Sequence, residues 1–160
     1  MLEHLKSHLK GKVVILGIGN TLRGDDGIGS ILASRLQGKV PWVVYEAGES
    51  PENYLGKIIK DKPDNIVIID AVDFGATPGE FRVLEEEDIK SANLYATHNA
   101  SITLTINYLK SDLKADIIIL IVQPQAIKLG EELSPCISDT LGKLENWFLG
   151  CGQENYEKKG

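Results

Sequence analysis

The sequence predicts an α/β fold, a three-layer α/β/α sandwich around a mostly parallel, doubly wound sheet of about five strands with one antiparallel edge strand. Short apolar runs rich in β-branched residues recur along the chain, and helical patterns lie between them. The runs are apolar throughout rather than alternating, as parallel strands covered on both faces require.

The first run, Val13 to Leu16, is followed by Ile28, Ile31, Leu32 and Leu36 at helical spacing. A second run, Trp42 to Tyr45, leads to Ser50-Pro51, where Ser50 as N-cap and Pro51 at the first helical position start a helix bearing Tyr54, Leu55, Ile58 and Ile59. After the third run, Ile66 to Ile69, a turn cluster spans Asp73 to Gly79, with Gly75, Pro78 and Gly79. Glu80 to Leu84 then alternates as a short strand, and so quick a return places it antiparallel at an edge. Ser101 to Leu109 fits two patterns: Ile102, Leu104, Ile106 and Tyr108 alternate, while Ile102, Thr105, Ile106 and Leu109 share a helical face. A helix is expected, because the parallel run Ile117 to Val122 that follows needs a covering crossover. Ile137, Leu141, Leu144 and Phe148 make a final helix. The chain reads as one domain over residues 1–160, with a structured core at 12–148 and a frayed Gly-rich, polar tail from Gly150 to Gly160.

Composition narrows the function. The 42% hydrophobic content suffices for a core without metal or disulfide support, and a formal net charge of −6 disfavours nucleic acid or anionic membrane as partner. Met1 to Gly11 lacks the uninterrupted apolar stretch of an export signal, and no apolar run approaches the roughly 20 residues of a membrane span, so a cytoplasmic protein is expected. Cys136 and Cys151 form no CxxC pair and read as packed or idle thiols. With no coiled-coil heptad in the chain, a monomer is expected.

In doubly wound sheets, ligands bind outside the carboxyl ends of the strands. Three polar groups fall there: Asp25-Asp26 after the first run, Asp70 after the third, and His98 before the covering helix. Carboxylate oxygens and an imidazole nitrogen suit zinc, nickel, cobalt or iron(II), with coordination positions left open. Each also has a plainer reading. Asp25 or Asp26 could cap a helix, Asp70 and Asp73 could bind turn backbone, and His98 could be a surface imidazole. The glycine-rich segment Gly17-Ile18-Gly19-Asn20-Thr21-Leu22-Arg23-Gly24-Asp25-Asp26-Gly27 carries its own anions where a phosphate would sit, and Leu22 stands where a dinucleotide fingerprint needs glycine. Glu46, at the place of a ribose-binding acid, keeps a nucleotide-binding oxidoreductase as a weak rival.

With those residues identified, the chain resembles the hydrogenase maturation proteases, endopeptidases that trim the C-terminus of nickel-iron hydrogenase large subunits. Three segments carry the resemblance: Gly17 to Gly29, then Ile69-Asp70-Ala71-Val72-Asp73-Phe74-Gly75 with Pro78-Gly79-Glu80, then Thr97-His98-Asn99. Gly24-Asp25-Asp26-Gly27, Ser50-Pro51-Glu52-Asn53 and Thr97-His98-Asn99 are most similar to the branch serving formate-hydrogenlyase-type membrane-bound hydrogenases. Two segments depart from the family pattern, Glu46-Ala47-Gly48 in place of Asp-Gly-Gly and Gln123-Pro124-Gln125 without an acid after the proline. The resemblance implies an α/β/α fold and a metal-contacting trio of Asp26, Asp70 and His98; Asp26 or Asp70 is then the available catalytic base, and the trio supports either metal-assisted hydrolysis or aspartate-based hydrolysis in which nickel only positions the substrate. It also implies a hydrogenase large-subunit precursor as partner, carrying nickel as the recognition element, with zinc or cadmium able to occupy the same site. The rival to a peptidase is a binding module that recognises a metallated partner without cutting it.

Overall fold

The computed structural model describes residues 1–91 and 99–159. Its strands are β1 (Val13–Ile18), β2 (Val43–Gly48), β3 (Asn65–Ala71), β4 (Phe81–Glu85) and β5 (Asp116–Val122). They form one sheet in the order β2-β1-β3-β5-β4, parallel except for the antiparallel edge pair β4–β5. The helices are α1 (Leu2–Ser7), α2 (Ile28–Leu36), α3 (Leu55–Asp61), α4 (Glu86–Ser91), α5 (Asn99–Asp112) and α6 (Pro135–Lys159).

Strand alternation divides the core into two layers. Val67 and Ile69 of β3, with Ile118, Leu120 and Val122 of β5, pack against α1, α2 and α6. Ile66 and Ile68, with Ile117, Ile119 and Ile121, pack against α3 and α5. Both faces of the sheet are therefore apolar, which accounts for the unbroken hydrophobic runs. The ambiguous segment resolves as helix α5: Ile102, Ile106 and Leu109 are buried, whereas Leu104 and Tyr108, which an alternating strand would bury with them, are exposed.

Three expectations are corrected. Ser50 makes no side-chain cap bond, and Pro51–Tyr54 form a 3-10 turn before regular helix begins at Leu55. The Ser50 carbonyl accepts the Asn53 N–H at 3.1 Å, a tight turn that displaces the helix start. The tail from Gly150 is not frayed, because α6 continues to Lys159. Cys151 is buried in the same apolar layer as Leu5, and Lys6 pairs with Glu154 at 2.9 Å, so α1 and the end of α6 hold each other. The ordered structure accordingly extends beyond 12–148 at both ends: Leu5 and Leu9, outside that range, are core residues.

The chain leaves β1 for β2 on one side and returns to β3 on the other, so the order reverses between β1 and β3. Such a switch point opens a crevice at the carboxyl ends of the strands. Helix α2 reaches that crevice through Gly29, where a Cβ would lie 2.2 Å from the Ile18 carbonyl oxygen and 2.3 Å from that of Ile69. Alanine is better than glycine in a helix by about 1 kcal/mol. Two strand carbonyls cannot give way, however, and such overpacking costs about 1–3 kcal/mol or more. Gly29→Ala is therefore expected to lower the urea midpoint despite its better helix propensity. An unchanged midpoint would contradict the close approach.

Candidate active site at the sheet switch point

The loop after β1 delivers two adjacent carboxylates to different tasks. Gly24–Gly27 form a 3-10 turn, and Gly27, which has no side chain, takes the N-cap position of α2. Asp25 is fully buried, and its carboxylate accepts four hydrogen bonds from the segment after β5. The donors are the backbone N–H groups of Gln125 and Ala126, both at 2.9 Å, the Ser134 N–H at 2.7 Å, and the Ser134 hydroxyl at 2.8 Å. Backbone bonds reinforce the junction: the Asp25 N–H donates to the Ala126 carbonyl at 2.9 Å and the Gly24 N–H to Glu131 at 3.1 Å. Asp25 therefore clamps the β1 loop to the β5–α6 loop, and the helix-cap reading does not describe it. Sequence reasoning missed this role, since three of its four donors are backbone amides, at least 100 residues away, that leave no mark on side-chain pattern.

Asp26 is also buried, and its Oδ2 accepts the Asn20 N–H at 3.1 Å. The Leu22 N–H donates in turn to Asn20 Oδ1 at 2.9 Å. Amides that would cradle a phosphate in a nucleotide-binding loop are here committed to the loop's own side chains. Gly19 permits the arrangement, because a Cβ there would lie 2.1 Å from the Asp26 carbonyl oxygen.

Asp70, in β3 across the switch point, has no exposed surface. Its Oδ1 accepts the Ala71 N–H at 2.8 Å, so the turn-binding reading holds for one oxygen. The other, Oδ2, is buried with no hydrogen-bond partner among the described residues. Burial pushes the Asp70 carboxyl well above the usual carboxylate range, and the negative charge of Asp26 pushes it further. The Asp26 charge acts on Asp70, so the crevice holds an interacting pair of buried acids. A divalent cation would neutralise such a pair and give Oδ2 the partner it lacks, and the oxygen donors suit a borderline-hard ion.

His98, the third member of the expected trio, lies outside the described residues. Asp73 is a turn former, as its plainer reading holds: its Oδ1 accepts the Gly75 N–H at 3.1 Å and the Gln123 amide at 3.1 Å. Gln123 Oε1 accepts the N–H groups of Phe74, at 2.8 Å, and Ala76, at 3.2 Å, and so fixes the turn beside the site. Glu46 lies in β2, in register with Gly17. Cys136 donates through Sγ to Gln125 Oε1 at 3.1 Å, Cys151 is buried, and both thiols are free. Leu22 and Leu129 are largely exposed near the site, linked by the Gly130 N–H bond to the Leu22 carbonyl at 2.8 Å.

Comparison with known proteins identifies relatives of the chain and of its fold. A family model described as hydrogenase maturation protease matches residues 28–150, beginning two residues after Asp26. The chain is 34% identical over 140 residues to the hydrogenase 3 maturation protease of Escherichia coli K12, covering 84% of this chain and 89% of that protein. It is 32% identical to a putative hydrogenase maturation protease of Methanocaldococcus jannaschii, covering 79% of this chain and 82% of that one. Among solved structures, the [NiFe] hydrogenase maturation protease HycI of Thermococcus kodakarensis KOD1 superposes with a TM-score of 0.83 at 33% identity, covering 94% and 99% of the two chains.

Proposed function

The chain belongs to the hydrogenase maturation protease family, and on that premise we propose that it removes the C-terminal extension of a nickel-iron hydrogenase large-subunit precursor once nickel has been inserted. The observation that carries the reading is Asp70: a fully buried carboxyl, one oxygen unpartnered among the described residues, beside a second buried acid. An arrangement so unfavourable in the empty protein is balanced when a substrate brings a cation.

The nickel belongs to the precursor. Asp26 and Asp70 supply oxygen donors and His98 an imidazole, so affinity for nickel-loaded precursor exceeds affinity for the empty form, and the metal reports that assembly is complete. Hydrolysis needs a base for the attacking water and charge stabilisation at the scissile carbonyl. One carboxylate of the pair would take the water's proton, and the substrate's ion would serve either as Lewis acid at the carbonyl oxygen or only to position the substrate. Zinc or cadmium would satisfy the same donors and act as inhibitory occupants. Leu22 and Leu129 offer apolar surface near the crevice against which the precursor docks.

The test incubates the protein with nickel-loaded and nickel-free precursor and weighs the products by mass spectrometry. Loss of a C-terminal peptide from the loaded form alone is expected. Equal cutting of both forms would remove nickel as the signal, and capture without cutting would favour the binding-module reading. His98→Ala should weaken calorimetric binding of loaded precursor by roughly tenfold or more, as loss of one metal ligand does. Unchanged binding would take His98 out of the ligand set.

A further inference from the structure

We infer that His4, His8 and Glu85 form a second metal site, for a first-row divalent ion such as zinc, at the opposite end of the strands from the Asp26–Asp70 crevice. Helix α1 carries His4, and His8 is its C-cap. Four residues apart on a helical turn, the two imidazoles share one face, with ring centroids 5.0 Å apart. Glu85 arrives from the end of β4, 81 residues distant from His4 in sequence. In the β4–β5 ladder Glu85 pairs with Ile118, near the amino end of β5, whereas the crevice lies at the carboxyl ends.

Side-chain positions already approximate a coordination sphere. One ligand atom from each residue lies within 4.8 Å of the other two. Glu85 Oε1 is 2.9 Å from His4 Nε2 and 3.8 Å from His8 Nε2. Tetrahedral zinc with bonds of about 2.0–2.1 Å sets its ligand atoms about 3.3 Å apart. The two distances straddle that value, so an ion enters with small side-chain rotations and no backbone movement. Two imidazoles and a carboxylate are a donor set for zinc, nickel or copper(II) rather than calcium or magnesium. The fourth position stays open to solvent, since His4 and Glu85 are about half exposed.

The neighbourhood favours a cation. A cleft of about 310 Å³ beside His8 and Glu85 is lined also by Glu86, Glu87, Lys110 and Asp116, and its one lysine is engaged by Glu86 at 2.9 Å. An ion held there would join α1 to β4, the strand at the sheet edge. Binding to the folded chain alone would then raise its melting temperature.

Zinc chloride titrated by calorimetry into untagged full-length protein tests the site. One tight zinc is expected for Asp70→Asn, whose crevice has lost a donor, and the parent should bind that same zinc besides any taken by the crevice. His4→Ala and Glu85→Gln, both at side chains about half exposed, should each weaken that zinc at least tenfold and lose its thermal stabilisation. The cobalt(II) form of Asp70→Asn should show visible absorption that adding His4→Ala removes. Absence of tight zinc in the parent, its loss in Asp70→Asn, or its persistence at parental affinity in both His4→Ala and Glu85→Gln would overturn the proposal.

Discussion

Asp70→Asn is expected to melt at a higher temperature than the parent at neutral pH and to leave the precursor uncut. Both outcomes have one cause. Folding raises the Asp70 carboxyl above its ordinary range, through burial first and the Asp26 charge second, so the folded chain holds a proton that the unfolded chain releases. The folded state therefore binds more protons between the ordinary carboxylate pKa and Asp70's elevated one, and stability falls as pH rises through that window. Above the window the full penalty for an ionised buried Asp70 remains. Asparagine removes it, and its side-chain carbonyl can still accept the Ala71 N–H. Each kcal/mol recovered raises the melting temperature by about 2–4 °C in a chain of this size. Cleavage loses a carboxylate needed either as donor to the cation or as base, a loss of about 100-fold or more. Melting curves from pH 4 to pH 8 should show a falling component in the parent that the variant lacks. A variant that melts lower across the whole range, or that still processes precursor, would show that Asp70 serves the fold instead.

The strands and their approximate places were legible because β1, β3 and β5 are short runs buried on both faces, β2 is a half-buried apolar run, and the antiparallel edge strand followed from the turn before it. The rule that doubly wound sheets bind ligands at the carboxyl ends of their strands brought Asp25-Asp26 and Asp70 to one crevice, and only the family resemblance singled out Asp26 from its neighbour. Features built from backbone contacts were not legible. The N-terminal segment has two core leucines, Leu5 in α1 and Leu9 just after it, in a polar setting, and its anchor, the far end of α6, looks like a loose tail until the two are packed together. His4 and His8 carried a readable signal in their spacing, but their partner Glu85 sits in an unremarkable acidic stretch. The departure at Gln123-Pro124-Gln125 acquires a local meaning from the structure: Gln123 uses both ends of its amide to hold the Asp73 turn, and Gln125 donates its backbone N–H to Asp25.

The adjacent pair Asp25 and Asp26 looked interchangeable in sequence, and Asp25→Asn is the substitution that separates their roles. The same chemical change that stabilises at position 70 should destabilise severely at position 25. All four groups facing the Asp25 carboxylate are donors. An asparagine can offer them one oxygen, and its NH2 group then confronts N–H groups or the Ser134 hydroxyl that it cannot satisfy. Buried donors left unpaired cost about 1–3 kcal/mol each, and those that bonded a carboxylate stand at the upper end. A total on the order of 3–5 kcal/mol is expected, which lowers the melting temperature by roughly 10 °C. The Ser134→Ala variant, which removes one donor and leaves its backbone N–H in place, should cost only about 1 kcal/mol. Freed from Asp25, the segment after β5 would no longer hold Leu129 beside Leu22, so any cleavage by the surviving folded fraction should show a raised KM with kcat less affected. A parental melting temperature in Asp25→Asn would show that the clamp contributes nothing, and a loss confined to kcat would place Asp25 in the chemistry with its neighbour.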